Sequence, residues 1–168
     1  MAKSCLPAFP LAVFGVIEPI LLIWGYITAV RDPASFYSAQ APNFPVPSSA
    51  DVPAQGLVLL LQLVNVYLLL AAAGVICTWT SDATVSRRFL VAVAFADYGH
   101  IWACYRGVGP DLFWDVSSWN DMLWGGVGVS LVLNVLRWLT VLGAFGAMRD
   151  PWQPTGAAKG RKKGKKVA

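Results

Sequence analysis

The sequence predicts an all-α protein, a four-helix transmembrane bundle, and three observations carry that reading. The chain of 168 residues is 57% hydrophobic and only 13% charged, with a mean hydropathy of +0.57. A soluble domain averages about 25% charged residues, so this is the composition of an integral membrane protein. Four apolar stretches follow one another: Phe9 to Val30, Gly56 to Trp79, Phe89 to Tyr105 and Trp124 to Met148. Each approaches the ~20 residues needed to cross ~30 Å of hydrocarbon, the third being the shortest. The runs are continuously apolar rather than alternating, which disfavours the strands of a membrane barrel.

The organisation expected is a cytosolic lead at 1–8, a helical domain at 9–148 with helices near 9–30, 56–79, 89–105 and 119–148, and a basic tail at 149–168. The first stretch is read as a retained helix and not a signal peptide. Its apolar region is too long for a leader, and Glu18 interrupts it. Glu18, the only glutamate, lies halfway along and is followed by Pro19. Proline cannot donate to the Gly15 carbonyl, and a broken helix with a freed carbonyl is tolerated in a bilayer only where it is buried or lines a cavity. A simple kink, with Glu18 bonded to a neighbouring helix, is the other reading.

Arg31-Asp32-Pro33 closes this helix, and Asp32 with Pro33 can cap a short helix through Ala39. The proline-rich remainder to Gln55 is either a cover over the bundle or an irregular loop. The second span carries Gln62 and Asn65 on one face; Gln62 reads as interhelical glue, Asn65 as a cavity residue. The turn 80–88 makes the second and third spans antiparallel neighbours. The third span holds Asp97 and the only histidine, His100, one turn apart on a shared face. An ionisable group at that depth costs roughly 2.5–3.5 kcal/mol unless it faces the bundle interior or a wet cavity. Trp102 lies on the same span.

Between the third and fourth spans, Trp114, Trp119 and Trp124 suit a membrane interface, and Asp115 and Asn120 among them are candidates for a pocket rim. Ser118-Trp119-Asn120-Asp121 has the form of a capping box. Asn134 and Arg137 then sit one turn apart in the fourth span. Arg137 lies about 11 residues, or ~16 Å of helical rise, from the cytosolic end, a long reach for snorkelling. Pairing with Glu18 or Asp97 is the economical solution.

Apart from Arg31, Arg106 and Arg137, the basic residues fall on one side of a four-span arrangement: Lys3, Arg87, Arg88, Arg149 and the tail lysines and Arg161. The positive-inside rule puts both termini in the cytosol. The net charge of +4 resides mostly in this tail, which fits contact with anionic headgroups and gives no ground for a nucleic-acid partner. Lys165 and Lys166 stand third and fourth from the end, as in a dilysine signal for the endoplasmic reticulum. Cys5, Cys77 and Cys104 have no paired spacing, and with one histidine there is no metal-ligand cluster. No cofactor fingerprint is present.

Glu18-Pro19, Asn65-Val66-Tyr67, Ala96-Asp97-Tyr98-Gly99-His100, Trp114-Asp115 and Trp119-Asn120 together resemble a family of small fungal four-helix membrane proteins of unknown function, over about residues 10–148. That resemblance implies a fold and no activity. More distantly, the layout is similar to the EXPERA group, which includes the emopamil-binding sterol isomerases and the sigma-2 receptor. This likeness implies an endoplasmic-reticulum bundle with intramembrane acidic residues around a lipophilic ligand.

The expectation is therefore a multi-pass membrane protein whose polar pocket takes a sterol-like, terpenoid or other lipophilic molecule. Glu18, Asp97 and His100 are the candidate catalytic groups, with proton-transfer isomerisation or cyclisation as the fitting chemistry. Asn65, Trp102, Asp115, Asn120, Trp124 and Arg137 are candidate ligand contacts, the tryptophans by cation–π stabilisation. Membrane lipids and the lipophilic molecule are the expected partners, and the oligomeric state is left open. A non-catalytic structural subunit and a small oligomeric transporter are the alternatives.

Overall fold

The computed structural model describes residues 4–44 and 52–149, and within them the chain is all-helical with no strand. Helix α1 spans Ala8–Arg31, α2 Pro33–Ala39, α3 Ala54–Thr78, α4 Ala83–Trp114 and α5 Asp121–Val141. The dilysine pair, the basic tail beyond Arg149 and Lys3 lie outside the described residues.

By length and composition α1, α3 and α5 are each able to cross a membrane. Helix α4 is the longest at 32 residues but carries Arg87, Arg88, Asp97, His100 and Arg106, and it does not join that group. Large apolar side chains stand uncovered around the bundle, Trp24 at 63%, Leu69 at 68% and Ile76 at 72% exposure among them. A soluble monomer does not present such a belt; a lipid-facing one does.

Helix α1 packs mainly on α3, and α4 on α5. The first pair approaches through glycines. A Cβ on Gly15 would meet Thr78 Oγ1 at 2.8 Å and Trp79 Nε1 at 2.9 Å, so only glycine fits. Gly15 belongs to a π-helical turn, Val13–Ile17, just before Glu18-Pro19. The Gly15 carbonyl, which Pro19 cannot serve, accepts the indole N–H of Trp79 at 3.0 Å. The second pair is held on one side by Trp138, whose indole donates to the Tyr98 hydroxyl at 2.9 Å and meets Phe95 edge-on.

Several boundaries differ from the expected ones for local reasons. Helix α4 begins at Ala83 and not Phe89, because the Asp82 carboxylate accepts from the Thr84 and Val85 amides. It continues past Tyr105 to a kink at Gly109, whose φ of 79° is open to glycine, followed by Pro110. The N-cap of α5 is Asn120, accepting from the Leu123 amide at 2.9 Å, rather than Ser118, which lies in a single 3-10 turn. Helix α5 also contains a π-helical stretch, Trp124–Val129. It stops at Val141, short of Met148, because Gly143 takes a φ of 84°. The Gly143 and Ala144 amides then bond back to Thr140 and Leu139, a Schellman ending.

The chain's segments sort to two ends. At one end the Cys5 amide donates to Thr80 and the Arg149 amide to Cys5, tying the first described residues, the α3–α4 turn and the last described residue together. At the other end α2, capped by Asp32 at the Ser35 amide, lies over the bundle with Phe36 buried against Ala29, Leu60 and Val64. Asn43 donates to the Val108 carbonyl at 2.8 Å, and Asn120 donates to Ala39 at 3.0 Å. Residues 33–44 therefore form a docked strap across this end, and the rest of the proline-rich segment, 45–51, lies outside the described residues.

Candidate functional site

The bundle's polar centre is built on Arg137. Its position on α5 turns it towards both α1 and α4, and its side chain is 1% exposed. One terminal nitrogen pairs with Glu18 of α1, and the other donates to Asp97 Oδ2 of α4 at 2.5 Å. Asn134, one turn before Arg137, donates to the Ala94 carbonyl at 2.7 Å and to Asp97 Oδ2 at 3.3 Å. The guanidinium stands 5.3 Å from the centre of the Phe14 ring. Arg137 Nε is buried with no hydrogen-bond partner among the described residues.

Each contact has a local cause. Phe14 and Glu18 are four residues apart across the π-helical turn, so ring and carboxylate reach the same guanidinium. Ala94 and Asp97 are three apart on α4, matching Asn134 and Arg137 on α5. The geometry joins three helices through one side chain that cannot lose its charge. With both carboxylates ionised, the site holds two negative groups against one positive. In a low-dielectric interior that surplus calls for a proton or a cationic group.

His100 sits one turn beyond Asp97, half-buried, facing α5 where that helix is glycine-rich. A Cβ on Gly126 would lie 3.5 Å from His100 Nε2 and 3.6 Å from Cys104 Sγ, so the missing side chain leaves room for the ring. Among the described residues the imidazole has no hydrogen-bond partner. Tyr67 reaches from α3 against Gly25 of α1, where an added Cβ would be 3.4 Å from its ring.

The remaining candidates do not converge on this centre. Asn65 is exposed on the side of α3 turned away from α1. Trp102 is 63% exposed on the outside of α4, and Trp124 is 49% exposed, edge-on to Trp119 at 5.2 Å. Asn120 serves as helix cap and strap anchor. Asp115 is fully exposed and accepts from the Ser117 and Ser118 hydroxyls, both at 2.6 Å, which hold its carboxyl below the usual range. Phe14 and the Asn134 bridge to Asp97 are the contacts that sequence reasoning did not single out. The four-residue step from Phe14 to Glu18 was the available signal for the first.

No curated protein and no solved structure matches this chain. Residues 3–147 match the model of a domain of unknown function, DUF7704, and the chain belongs to that family.

Proposed function

We propose that this protein is a four-span membrane protein of the endoplasmic reticulum that holds a lipophilic molecule, sterol-like or terpenoid, against the Arg137 centre. In this reading α4 is the fourth crossing, with Asp97 and His100 turned into the bundle between the exposed Arg88 and Arg106, and both termini lie in the cytosol. The architectural likeness to the EXPERA group belongs to the same proposal. The observation that carries it is the charge surplus: Glu18 and Asp97 share one arginine, and two of the three helices that meet there, α1 and α5, are apolar enough to span a bilayer. A network serving only to fasten helices is complete with one carboxylate per arginine, and a second adds desolvation cost.

The chemistry that fits is proton transfer. A carboxyl carrying the balancing proton delivers it to one carbon of an alkene, and His100 or the other carboxylate takes a proton from a neighbouring carbon. The double bond moves with no net change of oxidation state. Arg137 positions the carboxyl groups, and Phe14 with the surrounding apolar walls keeps water from the intermediate cation.

The structural reading has one observation in its favour, since the same network bridges α1, α4 and α5. Lipid extracts of the chain purified in mild detergent, read by mass spectrometry, separate the two. The proposal expects a retained lipophilic species in the unaltered protein, reduced about ten-fold or more in Asp97→Asn and His100→Gln, both of which keep size and hydrogen bonding. Extracts that hold only bulk membrane lipids, in the same ratio for all three proteins, leave the network as a fastener.

A further inference from the structure

Helix α3 has a second face that neither the fold nor the Arg137 centre uses. Its buried residues, Leu60, Val64, Ala71, Gly74 and Thr78, form one stripe against α1. At about 100° per residue, Gln62 and Asn65 fall on the opposite side, and both are exposed. Neither carboxamide has a hydrogen-bond partner among the described residues. The amide at mid-span on α5, by contrast, is satisfied within the bundle: Asn134 bonds to Ala94 and Asp97. Two unpaired amides facing hydrocarbon in an otherwise apolar helix are costly unless another helix meets them.

The residues around them form a face on which another helix can pack. Val58, Gln62, Asn65, Leu69, Ala72 and Ile76 are all exposed and alternate in steps of four and three residues. That is the spacing of a seam along which two helices pack knobs into holes. We propose that this seam joins two copies of the chain through α3. A second copy inserted in the same membrane has the same orientation, so a two-fold axis runs along the membrane normal and the two α3 helices lie parallel. Each seam residue then meets its own counterpart at the same depth. A carboxamide is donor and acceptor at once, so Gln62 and Asn65 are each complementary to themselves. This pairing leaves the Arg137 centre untouched, because that centre lies between α1, α4 and α5.

The test uses the full chain reconstituted in phosphatidylcholine vesicles, with energy transfer between donor- and acceptor-labelled copies followed as lipid is added. The unaltered protein should show transfer above the random level at high dilution, and the double variant Gln62→Leu/Asn65→Leu should need about ten-fold more protein to reach the same transfer. Transfer at the random level in the unaltered protein overturns the proposal, as does transfer undiminished by the double variant. A second measurement does not depend on that variant folding. In a chain with Cys5, Cys77 and Cys104 replaced by serine, a cysteine at Leu69 should be oxidised to a covalent dimer, and one at Leu61, on the flank of the same helix, should not. Equal cross-linking at both positions removes the seam.

Discussion

Helices α3 and α5 present the same signal in sequence: two polar residues three apart in a long apolar run, Gln62 with Asn65 and Asn134 with Arg137. In the folded chain their fates are opposite. Asn134 and Arg137 are buried, and between them they engage α1 and α4. Gln62 and Asn65 are exposed on the side of α3 turned away from α1, with no hydrogen-bond partner among the described residues. The difference lies in what surrounds each pair. On α5 the opposing helices supply carboxylates and a carbonyl at the same depth, and on α3 the glycine contacts with α1 claim the other face. A three-residue spacing thus says that two groups travel together and leaves open which way they point.

The largest effect should come from leaving Arg137 alone. Glu18→Gln or Asp97→Asn singly leaves the guanidinium one carboxylate, and each single variant should lose little stability. The double variant Glu18→Gln/Asp97→Asn leaves a buried charge that cannot neutralise itself, and it should cost about 3–5 kcal/mol. Unfolding of the purified chain in mixed micelles by rising sodium dodecyl sulfate measures this. A double variant no less stable than the sum of two small single effects would mean that Arg137 draws its compensation from elsewhere.

The all-helical class and three long apolar helices were legible because hydropathy and length report directly on what a bilayer requires, and the Arg137 pairing was legible because an intramembrane arginine needs a partner. The pairing with both carboxylates was not, since Glu18 follows directly on a π-helical turn, whose extra residue changes which way the next side chains point. The length of α4 was hidden for another reason. Hydropathy sees only the apolar part from Phe89 to Tyr105, whereas Asp82 starts the helix by capping it and Gly109 and Pro110 bend it. Tryptophans such as Trp102 and Trp124 fit an interface or a pocket equally well, and only the fold shows how much of each stays uncovered. Asn65 was expected in a cavity by its depth alone, and depth carries no azimuth.

One substitution made on each helix separates the two amides. Asn134→Leu removes the buried donor to the Ala94 carbonyl and one of the two donors to Asp97 Oδ2, and should destabilise the chain by about 1–3 kcal/mol. Asn65→Leu removes no bond among the described residues, so the folding stability of a single copy should hold or rise. The same detergent unfolding experiment, run at a protein concentration low enough to keep copies apart, reads both. Equal losses for the two variants would mean that Asn65 has a partner within its own chain.

The smallest effect belongs to a carboxylate in the opposite setting from Asp97. Asp115 stands in the open turn between α4 and α5, fully exposed, with the Ser117 and Ser118 hydroxyls donating to its two oxygens at 2.6 Å. These bonds favour the ionised form, so its carboxyl should titrate below the ordinary aspartate value of 3.8. A group whose pKa is depressed on folding adds stability that is present above the unfolded value and disappears as the pH falls through the folded one. The turn should therefore be unchanged near neutrality and loosen only below about pH 4, and because water screens an exposed charge the global stability should barely move. Carboxyl carbon shifts of the full chain in micelles give the midpoint directly. Replacing Ser117 and Ser118 by alanine should return it towards 3.8, and a midpoint in the unaltered protein at or above 3.8 would show that the two hydroxyls do not hold the carboxylate in solution.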